Sequence, residues 1–324
     1  MILVTGGAGF IGSAIIWKLN ELGETDILVV DQHAENSPKW NNIKKRQYSR
    51  YVESDQFLEI LENGSLNGKV KAVFHMGACS DTTEPNKDFL HKNNFEYTQK
   101  IARWCMQNNV YLAYASSAAT YGDGTLGFSD DDNLTPRLKP LNLYGQSKLD
   151  FDIWVLKNGY DKLITGFRFF NVYGPNEYHK GHMRSLAEKG FYQIRDTGKM
   201  KLFKSYKKEY PDGGQKRDFV YVKDIVDTLL WFYKHPQWKG IYNLGSGHAQ
   251  SWNELAEALF LAMSKVKNIE YIDMPDNLKN QYQYFTEANL TKFRSTGCPI
   301  TFMNLEKGAQ NYVKNHLLRP DPYL

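Results

Sequence analysis

Five short apolar runs separated by helical patterns constrain this chain more than any other feature. ILVT (2–5), DILVVD (26–31), KAVFHM (71–76), YLAYASS (111–117) and ITGFRFF (164–170) are rich in Val, Ile, Leu and Phe. Helical patterns begin near Ile11, Gln56–Leu61 and Tyr97–Met106, and a fourth carries Tyr144 and Lys148. Near-continuous apolar strands must be buried on both faces, which is what crossover helices on a parallel sheet provide. Right-handed crossovers then give an α/β chain of Rossmann type, with a doubly wound parallel sheet.

After Phe170 the rhythm breaks into irregular, Gly-rich and basic segments such as KSYKKEYPDGGQKRD (204–218), before DFVYV (218–222), a helix at Asp224–Lys234 and IYNLGSG (241–247). The expected organisation is a dinucleotide-binding domain over 1–170 and a smaller, mainly substrate-binding lobe over 171–324, placed above the carboxyl ends of the strands. The chain is expected to return to the sheet around 218–245, so the two are interleaved. Its 324 residues are enough to bury such a core, and 42% hydrophobic and 14% aromatic content argue against disorder. The net charge of +4 is dispersed along the chain, which argues against nucleic acid and points to a small anionic ligand. Cys79, Cys105 and Cys298 are far apart and odd in number, so neither a disulfide framework nor a metal site is expected. No apolar run reaches membrane-spanning length and no signal-type leader opens the chain, which predicts a soluble, cytoplasmic protein with no membrane partner.

The chemistry starts at TGGAGFIG (5–12), between the first strand and the first helix. Gly6, Gly9 and Gly12 permit a tight turn, a close approach of backbone N–H groups to a pyrophosphate, and close helix–strand packing. Asp31 ends the second strand, where a carboxylate accepts from a ribose 2′-hydroxyl and favours NAD; Lys39 could instead neutralise a 2′-phosphate or be a solvated loop lysine. Tyr144 and Lys148 share one helix face at a spacing of four. An ammonium beside a phenol lowers its pKa and makes Tyr144 an acid/base near neutral pH, while Ser117 at a strand end could bond the same substrate oxygen.

TGGAGFIG, SSAATYG (116–122), YGQSK (144–148), FRFFNVYGP (167–175) and RDFVYVKD (217–224) together resemble the extended short-chain dehydrogenase/reductase family over essentially the whole chain. Within it, GACSDTTE (77–84), NVYGPNEYHKG (171–181), KRDFVYV (216–222) and YQYFTEANLTKFRSTG (282–297) are similar to the branch that inverts C6″ of an ADP-heptose for the lipopolysaccharide inner core. The resemblance implies NADP, a homo-oligomer, often a pentamer, and the cytoplasm of a Gram-negative cell. It places Phe10, Ile11, Asp31, Gln32, Lys39, the turn Met76, Gly77, Ala78, Cys79 and Ser80, then Asn93, Lys148, Val172 and Lys180 at the cofactor. It places Asn171, His182, Lys189, Phe203, Arg217 and Tyr282 at the substrate. Gln32 stands where members often have Asn, Ser54 where a cofactor-binding Lys occurs, and His182 and Lys189 where Ser and His are expected.

Lys180 follows a Tyr–Lys pair that would by itself suffice for a one-way dehydrogenase. Inverting an alcohol carbon by redox removes its hydrogen from one face and returns it to the other, so the ketone must turn and its oxygen moves away from the first acid/base. Local sequence leaves Lys180 open between a second acid/base, phosphate binding and a loop charge; the resemblance assigns it to catalysis beside Tyr144, Lys148 and Ser117. A 4,6-dehydratase of the family would carry Asp-Glu where this chain has Ala118 and Ala119. A UDP-hexose 4-epimerase and a non-catalytic dinucleotide-binding protein are the alternatives, the latter disfavoured by the intact Ser117, Tyr144 and Lys148.

Overall fold

The computed structural model describes residues 1–32, 37–279 and 282–324. Strands β1 (Ile2–Thr5), β2 (Ile27–Asp31), β3 (Arg50–Glu53), β4 (Ala72–His75), β5 (Tyr111–Ser117) and β6 (Thr165–Phe169) build the large sheet. Strands β7 (Asn171–Tyr173), β8 (Met200–Phe203) and β9 (Lys216–Tyr221) leave it, β10 (Gly240–Leu244) rejoins it, and β11 (Ala249–Ser251) and β12 (Ile269–Ile272) leave it again. The large sheet is parallel throughout, in the order β3-β2-β1-β4-β5-β6-β10.

Successive residues of these strands point to opposite faces, and both faces are covered. Ile2, Val4, Ile27, Val29 and Phe74 pack under α1 (Phe10–Glu21), whereas Leu3, Leu28, Val30 and Val73 pack under α2 (Ser54–Glu62). The short α3 (Lys87–Leu90) runs through a π-helical turn, His91–Glu96, into α4 (Tyr97–Gln107), which covers the same face as α2. Burial on both sides is why the runs read as continuously apolar.

A smaller lobe holds a three-stranded sheet, β11-β9-β7, and the parallel pair β12-β8, packed against α6 (Leu186–Thr197), α8 (Trp252–Ala262) and the helix Leu305–Tyr312. DFVYV lies in this smaller sheet, paired parallel to β7 and antiparallel to β11. Its alternation joins the two cores: Phe219 and Tyr221 enter the lobe cluster, while Val220 and Val222 enter the cluster beneath the large sheet. α7 (Val222–Lys234) then packs beside α1, and β10 extends the sheet beyond β6.

The strand order reverses between β1 and β4, which opens a crevice at their carboxyl ends. Gly6 has φ +62°, and a Cβ there would lie 2.7 Å from the backbone nitrogen of Gly77. A Cβ at Gly12 would overlap the Gly6 carbonyl oxygen. Glycine is needed at 6 because the turns after β1 and β4 meet backbone to backbone, and at 12 because α1 packs directly on the turn that precedes it.

α5 (Leu143–Lys157) is fastened to the sheet by a buried ion pair, in which Arg168 Nε donates to Asp152 Oδ2 at 2.9 Å with both side chains fully enclosed. Tyr114 and Ser116 donate to the same carboxylate at 3.0 and 2.8 Å. The Arg168 terminal nitrogens donate to Tyr121 Oη at 3.0 Å and Thr135 Oγ1 at 2.9 Å. Tyr121 donates in turn to Asn243 Oδ1 on β10 at 2.6 Å. Removing one partner of such a pair leaves an uncompensated buried charge. Arg168→Met is therefore expected to lower unfolding free energy by about 3–5 kcal/mol. Urea unfolding measures this, and a loss below about 1 kcal/mol would mean the pair does not fasten the helix.

Candidate active site

A single cleft of about 1370 Å³ runs from the crevice between β1 and β4 into the gap beneath the smaller lobe. That is larger than the ~300–1,000 Å³ of a drug-sized pocket and leaves room for two ligands side by side. Gly6, Gly9, Phe10, Ile11, Gly12, Asp31, Gln32, Lys39, Met76, Gly77, Ala78, Cys79, Ser80, Asn93 and Val172 all line it. The amino terminus of α1 has Gly9 as its cap, with no side-chain cap and no acidic residue in the first turn. Open N–H groups beside a cradle that any Cβ would fill suit a pyrophosphate, so the residues fit a dinucleotide.

At the far end of the crevice Asp31 is fully engaged within the protein. Its Oδ2 accepts from the Ala8 N–H at 2.9 Å, and its Oδ1 accepts from the Gln32 N–H at 2.7 Å and from Lys39 Nζ at 3.0 Å. Lys39 thus offsets the carboxylate while remaining about one-third exposed in the cleft wall. Where β1 and β4 end, His75 bridges Thr5 Oγ1 at 2.6 Å and Thr98 Oγ1 at 2.9 Å. Burial, helped by the nearby Lys148 charge, pushes the His75 pKa down to about 3 and keeps the ring neutral.

Ser117, Tyr144 and Lys148 come together on the cleft floor. The cap at the start of α5 sets the helix: Asn142 Oδ1 accepts from the Gly145 N–H at 2.8 Å. Ser117 Oγ accepts from the Ala119 N–H at 3.1 Å and lies near the Tyr144 hydroxyl. Lys148 Nζ donates to the Ala115 carbonyl at 2.9 Å, and burial lowers its pKa to about 8. The Tyr144 phenol is pushed up by burial, against the nearby Ser117 hydroxyl, which favours its ionised form. This reverses the direction expected from a neighbouring ammonium: desolvation is the largest cause, and the Lys148 ammonium is turned towards a carbonyl.

The other wall comes from the segment after β7 and from the smaller lobe. Lys180 lines the cleft with its Nζ 5.5 Å from the Phe10 ring centroid, and its ammonium makes no hydrogen bond or ion pair with any described residue. Burial lowers its pKa, with Lys189 acting the same way and Glu177 opposing. Asn171, Lys189, Phe203 and Tyr282 also line the cleft. Arg217 sits just behind the wall, its guanidinium 4.9 Å from the Tyr282 ring and 5.5 Å from Trp252, and among described residues it has no carboxylate partner. His182 is not brought to the cleft. It faces outward, 70% exposed, towards Asp81 Oδ2 at 3.5 Å, because the left-handed Gly181 (φ +55°) turns the chain away after Lys180.

Three residues that hold the site escaped the sequence reading. Asn94, in the π-helical turn, donates to the Cys79 carbonyl at 2.9 Å and to Ser147 Oγ at 3.0 Å, and accepts from the Cys79 N–H at 2.9 Å. It locks the 76–80 turn to α5. Glu177, fully buried, accepts from the Gly174 N–H at 3.1 Å and Ser185 Oγ at 2.8 Å, bracing the loop before Lys180. Trp252 donates to Tyr282 Oη at 2.7 Å and closes the aromatic wall. The π-turn is a recognised mark of functional sites, but only coordinates reveal it.

The family model described as the NAD dependent epimerase/dehydratase family matches residues 2–245. A protein from Nitratidesulfovibrio vulgaris (strain DP4), named ADP-L-glycero-D-manno-heptose-6-epimerase, is 52% identical over 324 residues, covering all of both chains. A Fusobacterium nucleatum protein of the same name is 47% identical, again over the whole of both. The crystal structure of the Helicobacter pylori protein of that name is 28% identical with a TM-score of 0.81, covering 97% of this chain and 95% of its own. Identity at this level across the full length, together with the family match, establishes that the chain belongs to the NAD dependent epimerase/dehydratase family and, within it, to the ADP-L-glycero-D-manno-heptose-6-epimerases.

Proposed function

We propose that this chain interconverts the D-glycero and L-glycero forms of ADP-β-manno-heptose by inverting C6″ through a transient 6″-ketone, with NADP as the cofactor, in the cytoplasm, for lipopolysaccharide inner-core synthesis. The observation that carries the reading is that two proton-transfer groups from different elements, Tyr144 on α5 and Lys180 after β7, line one cleft. Residues 1–170 and the returning 222–244 would hold the dinucleotide, and the remainder the nucleotide sugar.

When bound, the nicotinamide supplies reversible acceptance of a hydride; the protein supplies positions and protons. The glycine turn and the open end of α1 hold the pyrophosphate, and Lys148 faces the nicotinamide end of the crevice. Tyr144, with Ser117 nearby on the cleft floor, exchanges a proton with the C6″ oxygen of one epimer. After the ketone turns, its oxygen meets Lys180, whose burial without a partner gives it a neutral fraction able to exchange the proton of the other epimer. Arg217, close behind the Trp252 and Tyr282 rings and without a carboxylate partner among described residues, would bring its cation to the ADP diphosphate from behind the cleft wall and hold the nucleotide while the sugar turns.

We favour NADP over NAD because Asp31 already accepts from three protein donors, one of them Lys39, and so offers no free carboxylate to a ribose 2′-hydroxyl, while Lys39 stays partly exposed beside it to meet a 2′-phosphate. We assign the chain to homo-oligomers, with a pentamer as the specific expectation.

Tyr144→Phe should keep bound cofactor but lower epimerisation about 10²–10⁴-fold, the usual worth of a positioned acid/base. Lys180→Met should lower full inversion similarly while cofactor reduction by one epimer survives in single turnover. Near-wild-type inversion by either variant, or turnover of UDP-galactose in place of ADP-heptose, would refute the reading. Lys39→Ala should lower the ratio of NADP to NAD affinity about tenfold, in line with the loss of a charge-assisted hydrogen bond worth ~1.5–3 kcal/mol. An unchanged ratio measured by titration would remove Lys39 from cofactor choice.

A further inference from the structure

Lys180 has nothing of its own to hold it: its ammonium touches the Phe10 ring and makes no polar contact with a described residue. Its place is therefore set by the backbone of residues 176–180, which lie outside any strand or α-helix. Asn176 is one of the few non-glycine residues in left-handed backbone, with φ +77°, and its side chain is fully buried. Its Nδ2 donates to Ser13 Oγ on α1 at 2.9 Å, and its Oδ1 accepts from the Leu324 N–H at 3.0 Å. Tyr178 donates through its hydroxyl to the Pro322 carbonyl at 2.9 Å, and its ring meets Tyr323 edge to face with centroids 5.1 Å apart.

The segment 321–324 is itself tied down on its other side. Asp321 pairs with Lys45, Pro322 also accepts from His316 Nδ1 at 3.0 Å, and the Leu324 side chain is buried in the cluster under the large sheet. The Tyr323 hydroxyl lies near Asn41. One residue on, Asn42 donates to the Ala8 carbonyl at 2.8 Å and to His179 Nδ1 at 3.1 Å. Burial, with Lys39 and Lys180 nearby, pushes the His179 pKa down to about 4, consistent with a neutral ring accepting at Nδ1. The Lys180 loop is thus gripped at alternate residues, 176 and 178, by one short segment from the far end of the chain, and at 179 by the turn that follows Lys39.

We propose that residues 321–324 are a positioning element for Lys180, clamping Asn176 and Tyr178 so that the neighbouring lysine is presented to the substrate oxygen at one fixed place. The clamp acts through the loop and touches neither substrate nor cofactor. The inference rests on Lys180 being the second acid/base. A displaced proton-transfer group costs rate in the half-reaction it serves and leaves the other half-reaction alone. A segment needed only for stability would affect both.

Two variants test it: removal of residues 321–324, and Asn176→Gly, which tolerates the positive φ while losing both side-chain bonds. Single-turnover cofactor reduction is measured with each epimer, beside Lys180→Met. The epimer whose reaction Lys180→Met suppresses should react about 10–100-fold more slowly in both variants, as expected for a displacement on the order of 1 Å. Its apparent affinity, cofactor binding and the reaction of the other epimer should stay within about twofold, and Asn176→Gly should add no further loss to Lys180→Met. If both half-reactions fall together, or neither falls while Lys180→Met remains one-sided, the positioning role is overturned. If Lys180→Met itself spares both half-reactions, the acid/base reading of Lys180 fails, and the inference falls with it.

Discussion

The buried pair of Asp152 and Arg168 is the constraint on which the cleft floor depends. A charge pair removed from water is stable only when its remaining hydrogen-bonding capacity is met, and here Tyr114, Ser116, Tyr121 and Thr135 meet it. The two donors to the carboxylate, Tyr114 and Ser116, come from β5, the two acceptors from the arginine, Tyr121 and Thr135, come from the turns beyond it, the arginine comes from β6, and the carboxylate comes from α5. The network therefore fixes the rotation and height of α5 over the sheet. Tyr144 and Lys148, two turns and one turn before Asp152, inherit that placement and line the cleft with Ser117 at the end of β5. Specific geometry at the reaction centre is set by a polar core several residues away from it.

The two proposed acid/base groups are held in different ways. Tyr144 stands on a capped helix locked to the sheet, whereas Lys180 stands on a loop whose shape comes from side chains behind it. Both groups are shifted by desolvation, the phenol upward and the ammonium downward, which moves each towards its neutral form. A site that must exchange a proton at two places, with net charge returning to its starting value, is served by two groups of this kind. The aromatic wall of Trp252 and Tyr282 around Arg217 belongs to the smaller lobe, so the lobe can hold a nucleotide while leaving the sugar space to turn.

Much of this was readable in the sequence because it depends on local pattern. Apolar runs marked every strand of the large sheet except β3, whose RYVE is too polar to stand out, TGGAGFIG marked the turn, and the spacing of Tyr144 and Lys148 implied a shared helix face that lines the cleft. Arg168 was visible as a charge inside ITGFRFF, a signal that it must be paired, yet nothing local names Asp152 as the partner. The same holds for Asn94, which reaches 53 residues to Ser147, and for Asn176, which reaches 148 residues to Leu324. DFVYV has the apolar look of a strand of the large sheet, and only its pairing partners place it in the smaller one. The Tyr144 shift and the outward turn of His182 depend on burial and on the backbone at Gly181, neither of which residue type reveals.

The central claim is that C6″ itself is oxidised and that its hydrogen leaves and returns inside the cleft. The rival chemistry oxidises a neighbouring carbon, which makes the C6″ hydrogen acidic, and then inverts C6″ by exchanging a proton with water. Turnover of ADP-heptose carrying deuterium at C6″, in ordinary water, distinguishes them by the label in the product. The account predicts that the inverted product keeps its deuterium at C6″ through many turnovers. Loss of that label to solvent at the rate of epimerisation would contradict it.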